Sequence, residues 1–102
     1  MSVVVVATIL PLPEHRAAVI GILRETVEQV HAEDGCELYS LNEAPDRLIM
    51  IEKWASQQAL DVHAAGPALA ALRPKLAGKV ASAPGLIVLQ AVPAGDPAKG
   101  TV

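Results

Sequence analysis

Three aliphatic runs constrain this chain more than any other feature: Val3 to Leu10 (VVVVATIL), Leu48 to Ile51 (LIMI) and Leu86 to Leu89 (LIVL). Side chains alternate across a strand, so an unbroken apolar run puts greasy groups on both faces, whereas a strand with one wet face reads apolar-polar-apolar. The first run is closed by Pro11 and Pro13, which fixes its end. At 102 residues the chain supports one domain and one core, yet 52% of it is hydrophobic and only 19% charged. A fully buried aliphatic side chain contributes about 1.5–3 kcal/mol, so four or five left in water would cost as much as a small domain's whole stability. The expectation is a homodimer that packs sheet against sheet.

The rest of the chain supplies the other layer. From Glu14 to Glu33 the residues Val19, Ile20, Leu23, Val27 and Val30 recur at helical spacing, with Pro13 near the first turn and Gly35 placed to stop the helix. Cys36 to Glu43 and Arg47 to Trp54 read as strands joined at Ala44-Pro45-Asp46, a tight-turn composition. Ser56 is a suitable N-cap for a helix from Gln57 to about Ala65, which Gly66-Pro67 breaks. Ala68 to Ser82 is helical in composition but interrupted by Pro74 and Gly78, which predicts a short, broken, mobile helix suited to gating a pocket. Pro84-Gly85 turns into a last strand, Leu86 to Val92, before a loose tail. Strand, helix, strand, strand, helix, strand with right-handed crossovers predicts an α+β ferredoxin-like plait: a four-stranded antiparallel sheet with helices on one face. Residues 1–93 form the domain and 94–102 a flexible C-terminal tail.

Charge and motifs narrow the function classes. Eight Lys and Arg against 11 Asp and Glu give a net charge of -3, with no basic run and 2% aromatics, which argues against nucleic acid as a partner. The N-terminal apolar run has no Lys or Arg before it and falls far short of the roughly 20 residues a bilayer requires, so it reads as a buried strand and not a signal or a membrane anchor. Cys36 has no partner for an internal disulfide, which fits a cytoplasmic protein. His15, His31 and His63 show no HExxH or i, i+4 spacing, and no GxGxxG or Walker loop is present, so neither a metal nor a nucleotide cofactor is expected.

Five residues are candidates for chemistry. His63 suits acid or base work, because an imidazole can exchange protons near neutral pH, or else packs with a ring nitrogen on a carbonyl. Trp54 ends the third strand, where its indole either walls a pocket or donates its N–H to a carbonyl or oxyanion, or else anchors the core. Tyr39, on the neighbouring strand, either binds a phenolic substrate or reaches water at the sheet edge. Glu52 shares a strand face with Trp54, Leu48 and Met50; it serves as a base of raised pKa or pairs with Arg47, Lys53 or a partner-chain arginine. Arg73 either holds an anionic substrate at a pocket mouth or is solvated.

Gly35-Cys36-Glu37-Leu38-Tyr39, then Ile51-Glu52-Lys53-Trp54, then Ser56, Ala59-Leu60, His63 and Pro67-Ala68-Leu69 occur in an order that resembles the antibiotic biosynthesis monooxygenase family, over roughly residues 3–92. The resemblance implies dimeric ferredoxin-like subunits, each with a pocket between helices and sheet. Some relatives oxidise polycyclic aromatic substrates with dioxygen and without metal or flavin, others degrade haem, and others act on small signalling metabolites. The haem-degrading branch relies on an asparagine, a tryptophan and a ligating histidine at places that fall here at Thr8, His63 and Arg73; none matches, which disfavours haem degradation. The expectation is a cofactor-independent monooxygenase acting on a small aromatic or polyketide-like phenol, with His63 as base, Trp54 beside it, and Tyr39, Glu52, Arg73 and Thr8 contacting substrate. The alternative is a dimeric metabolite-binding protein without turnover.

Overall fold

The computed structural model describes residues 1–102. Strands β1 (Val3–Ile9), β2 (Cys36–Glu43), β3 (Leu48–Trp54) and β4 (Gly85–Leu89) form one antiparallel sheet in the order β2-β3-β1-β4. Helices α1 (Arg16–His31), α2 (Gln57–Ala64) and α3 (Pro67–Leu76) complete the ferredoxin-like plait. The registers pair Val5 with Glu52 on one side and Val88 on the other, and Ala7 with Met50 and Leu86. Alternation from those pairs assigns Val5, Ala7, Ile9, Leu48, Met50, Glu52 and Trp54 to the helix side, and Val4, Val6, Thr8, Ile49, Ile51 and Lys53 to the other.

α1 covers the sheet through Val19, Leu23, Thr26 and Val30, whose spacing of three and four residues keeps them on one stripe. With Trp54, Met50, Leu48 and Val5 they form the fully packed centre of the core. The opposite sheet face has no such cover. Ile87 is 60% and Leu89 42% exposed there, beside the aliphatic side chains of β1 and β3.

The helix boundaries depart from the sequence reading in two places. Residues 13–15 form a single 3-10 turn before α1 proper, since Pro13 can start a turn but cannot donate into one. α3 runs without interruption to Leu76 and contains Pro74, where a break was expected. The proline stands in the last turn, and the carbonyl it leaves unbonded, that of Ala70, lies on an exposed residue where water can serve it. Gly78 (φ +76) reverses the chain. The segment that follows is tied to the end of β1 by Leu12 N–H to Lys79 O at 2.9 Å, Ala81 N–H to Leu10 O at 2.7 Å and a bridge between Pro11 and Val80. β4 ends at Leu89, short of the expected Val92.

Candidate active site

A cavity of about 690 Å³ lies between the sheet and helices α2 and α3, extending over β4. Most of its wall is apolar, from β1, β3, β4 and the inner faces of the helices. Three polar side chains meet in that wall: Tyr39 from β2, Glu52 from β3 and His63 from α2. Gln57, Asp61 and Arg73 line it from exposed positions.

Local sequence rules place each of the three. Ser56 caps α2 by accepting the Ala59 N–H at 3.1 Å, as its position predicts. The capped helix then carries His63 in its last turn, where the helix dipole favours a cation. On β2 a bulge between Cys36 and Leu38 shifts the register, so Cys36 faces Trp54 while Tyr39 faces Glu52. That extra residue turns both Cys36 and Tyr39 toward the helices. In an unbulged strand, residues three apart face opposite ways.

Behind the cavity wall sits a residue that sequence reasoning passed over. Glu33 follows α1 in the turn that leads to Gly35, and its Oε1 lies 2.8 Å from His63 Nδ1. Gly35 makes this approach possible: its φ is +80, and a Cβ there would stand 2.6 Å from the Cβ of Ala59 on α2. Only glycine meets both conditions. The Gly35 carbonyl also accepts the Ala55 N–H at 2.8 Å, which locks the turn to the end of β3.

The imidazole is buried, 3% exposed, between two carboxylates and the indole. Trp54 stacks on it with ring centroids 4.3 Å apart and planes inclined by 29°, while Tyr39 meets it edge-on at 5.4 Å. Glu33 Oε1 accepts the Nδ1–H and thereby leaves Nε2 as the basic nitrogen, a tautomer assigned from the hydrogen-bond pattern. Nε2 lies 3.9 Å from Glu52 Oε1, beyond hydrogen-bond range. Glu52 Oε1 instead accepts the Trp54 Nε1–H at 3.0 Å.

This geometry revises several sequence expectations. Glu52 pairs with neither Arg47 nor Lys53: Arg47 is held by Asp46 at 2.7 Å, and Glu52 is 4% exposed beneath the helices. Burial pushes its pKa above the usual carboxylate range; the Trp54 hydrogen bond and His63 oppose that shift, and Glu33 adds to it. Trp54 is fully buried, and its N–H is committed to Glu52, so it backs His63 and leaves the cavity wall to others. Tyr39 is buried instead of reaching water at the sheet edge, and burial, reinforced by Glu52 and Glu33, drives its phenol strongly upward and keeps it protonated. Arg73 lines the cavity from an exposed position, and its Nη2 donates to Ala64 O at 3.3 Å. Thr8 lies on the other sheet face, paired with Ile49 and Gly85, and is not brought to the cavity.

Glu33 leaves one trace in the sequence. An acid immediately beyond the C-terminal end of a helix stands against the dipole, so it calls for a partner elsewhere in the fold. Here that partner is His63. No group of three or more His, Cys, Asp or Glu side chains is arranged as a metal-ligand set, and no helix is long and apolar enough to cross a membrane.

Comparison with known proteins agrees with the architecture. The Mycobacterium tuberculosis protein Rv0793, whose own assignment as a monooxygenase is provisional, is 37% identical over 67 residues, a match spanning 64% of this chain and 66% of that protein. Its solved structure superposes with a TM-score of 0.85 at 28% identity, covering 94% of this chain and 100% of that one. A crystal structure of an antibiotic biosynthesis monooxygenase is similar with a TM-score of 0.82 at 29% identity, covering 89% of this chain and 99% of that one. The family model for antibiotic biosynthesis monooxygenases matches residues 2–75, a span that holds Glu33, Tyr39, Glu52, Trp54 and His63 together, and on that match the chain belongs to the antibiotic biosynthesis monooxygenase family.

Proposed function

We propose that this protein is a cofactor-independent monooxygenase that oxidises a small aromatic, phenol-like substrate with dioxygen, His63 acting as its base. One observation carries the reading: a buried imidazole, held at Nδ1 by Glu33, borders a largely apolar cavity of about 690 Å³. That volume suits a fused-ring guest. In this scheme Nε2 takes a proton from an activated C–H of the substrate, and Glu33 stabilises the imidazolium that forms. The resulting carbanion gives electrons to dioxygen and bonds it as a peroxide, which takes the proton back from the His63 imidazolium to become a hydroperoxide. Loss of the second C–H proton with cleavage of the O–O bond then forms the ketone and releases water. The sum is R2CH2 plus O2 giving R2CO plus H2O, and the substrate is the only reductant. Tyr39, Glu52 and Arg73 contact the substrate's oxygens, while the aliphatic wall excludes water from the carbanion.

The same proposal takes the outer sheet face, with Val6, Ile49, Ile51, Ile87 and Leu89, as the interface of a homodimer, and the cytoplasm as the site of action. Oxygen uptake with anthrone by metal-free protein tests the chemistry. Removing a general base costs about 10²–10⁴-fold, so His63→Ala is expected to lose at least a hundredfold in rate. A variant that keeps the full rate removes His63 from the mechanism. Thermal stabilisation by the arene without oxygen uptake supports the non-catalytic binder instead.

A further inference from the structure

Two carboxylates, Glu33 and Glu52, share a single imidazole, and no lysine or arginine pairs with either of them. One imidazole cannot hold both at hydrogen-bond distance. His63 is committed to Glu33 at 2.8 Å and stands 3.9 Å from Glu52. Glu52 therefore sits 4% exposed with one hydrogen bond, from the Trp54 indole to Oε1, and with no cation of its own. A lone buried carboxylate in such surroundings is stabilised by taking a proton. Burial pushes Glu52 in that direction. Oε1 is occupied by the indole N–H, which leaves Oε2 to carry the proton, and the residue lines the cavity.

We propose that Glu52 works as a neutral carboxylic acid whose Oε2–H donates a hydrogen bond to an oxygen of the guest, so that the cavity prefers ring compounds bearing a carbonyl oxygen over hydrocarbons of the same shape. The inference rests on the cavity being a ligand site, as proposed above, and it deepens that reading by naming what the site recognises. Glu52 and Tyr39 supply two neutral donors beside the one basic nitrogen, His63 Nε2. Such a set binds an oxygen that gains negative charge when a neighbouring C–H is lost, and holds it better as the charge grows.

The chain's single tryptophan, stacked on His63 behind the wall, is the reporter. Its fluorescence is titrated with α-tetralone, which offers one carbonyl acceptor, and with tetralin, the hydrocarbon of nearly the same shape. The variants are Glu52→Gln, whose amide can accept the indole N–H and still donate into the cavity, and Glu52→Leu, which can do neither. One neutral hydrogen bond corresponds to about three- to tenfold in affinity. Wild type and E52Q are expected to prefer tetralone by that factor, and E52L to bind the two equally.

Loss of the preference in E52Q as well as in E52L overturns the proposal, because a neutral donor at this position then fails to reproduce it. An undiminished preference in E52L, or none in wild type, overturns it too, and so does failure of both probes to bind. Anthrone oxidation is read separately. Absence of oxygen uptake together with an intact ketone preference defeats the monooxygenase reading and leaves this one standing.

Discussion

Gly35→Ala tests whether the turn after α1 holds the site together. The methyl group meets two obstacles. At φ +80 a side chain is in the left-handed region, which costs a non-glycine residue about 1–2 kcal/mol. Its Cβ also falls 2.6 Å from the Cβ of Ala59, and overpacking of that kind costs about 1–3 kcal/mol. The single variant is expected to lose about 2–5 kcal/mol in urea denaturation. Ala59→Gly removes the second obstacle and leaves the first, at its own cost of about 1 kcal/mol for glycine in a helix. In that background G35A is expected to lose only about 1–2 kcal/mol, so the double-mutant cycle yields a coupling of about 1–3 kcal/mol. If G35A costs the same in both backgrounds to within about 0.5 kcal/mol, α2 does not press on the turn and the reasoning fails. The same press sets the Glu33–His63 distance, so G35A should slow anthrone oxidation, and A59G should restore part of the rate.

Glu52→Gln is expected to gain stability on wild type as pH rises. The folded state holds a Glu52 proton that the unfolded chain releases near 4.5; the stability this contributes is complete below that pH and lost as pH rises through the higher folded value. Urea midpoints at pH 4 and pH 8 that differ from wild type by the same amount count against it. Trp54→Phe keeps a ring against His63 but strips Glu52 Oε1 of its donor, and should cost about 1–3 kcal/mol by circular dichroism melts, with Glu52 pushed still higher. A loss under about 0.5 kcal/mol would show the indole hydrogen bond to be idle. Ile51→Glu puts a charge in the middle of the outer sheet face, where a buried unpaired charge costs several kcal/mol. Sedimentation should find wild-type dimers at micromolar concentration and monomeric I51E; a wild-type monomer refutes the interface.

The fold was readable because its signals are redundant. Val3 to Leu10 requires a strand, and Val19, Leu23 and Val30 require a helix against one of its faces. Ser56 marks the start of α2 whatever the rest of the chain does. The site was less readable because it rests on two register-level events. A bulge at Cys36/Leu38 turns Tyr39 inward, and a glycine turn swings Glu33 under α2; neither leaves a periodic trace in the sequence. Pro74 misled in the opposite direction, since a proline near a helix end obstructs little when the orphaned carbonyl meets water. His63, Glu52 and Trp54 could be chosen by residue type alone. Their mutual arrangement could not, and it moved Trp54 from the cavity wall to a place behind His63.

Glu33 and Glu52 each break a local rule. The first stands beyond the negative end of α1, and the second in an otherwise apolar strand beneath the helices. Between them they have one imidazole and one indole N–H, too few donors for four carboxylate oxygens, and Glu33 Oε2 is left buried without a partner. An inert core would dispense with both acids, because well-packed apolar replacements of buried polar clusters are often neutral or stabilising. Natural sequences tolerate such conflicts chiefly where function needs them. The expectation is then specific: Glu52→Leu combined with Trp54→Phe, which removes the acid together with its only donor, should unfold later than wild type at pH 8 while losing oxidation of anthrone. A double variant that is less stable than wild type at that pH would mean that Glu52 and its donor hold the fold together, and the case for a role of Glu52 in binding would weaken with it.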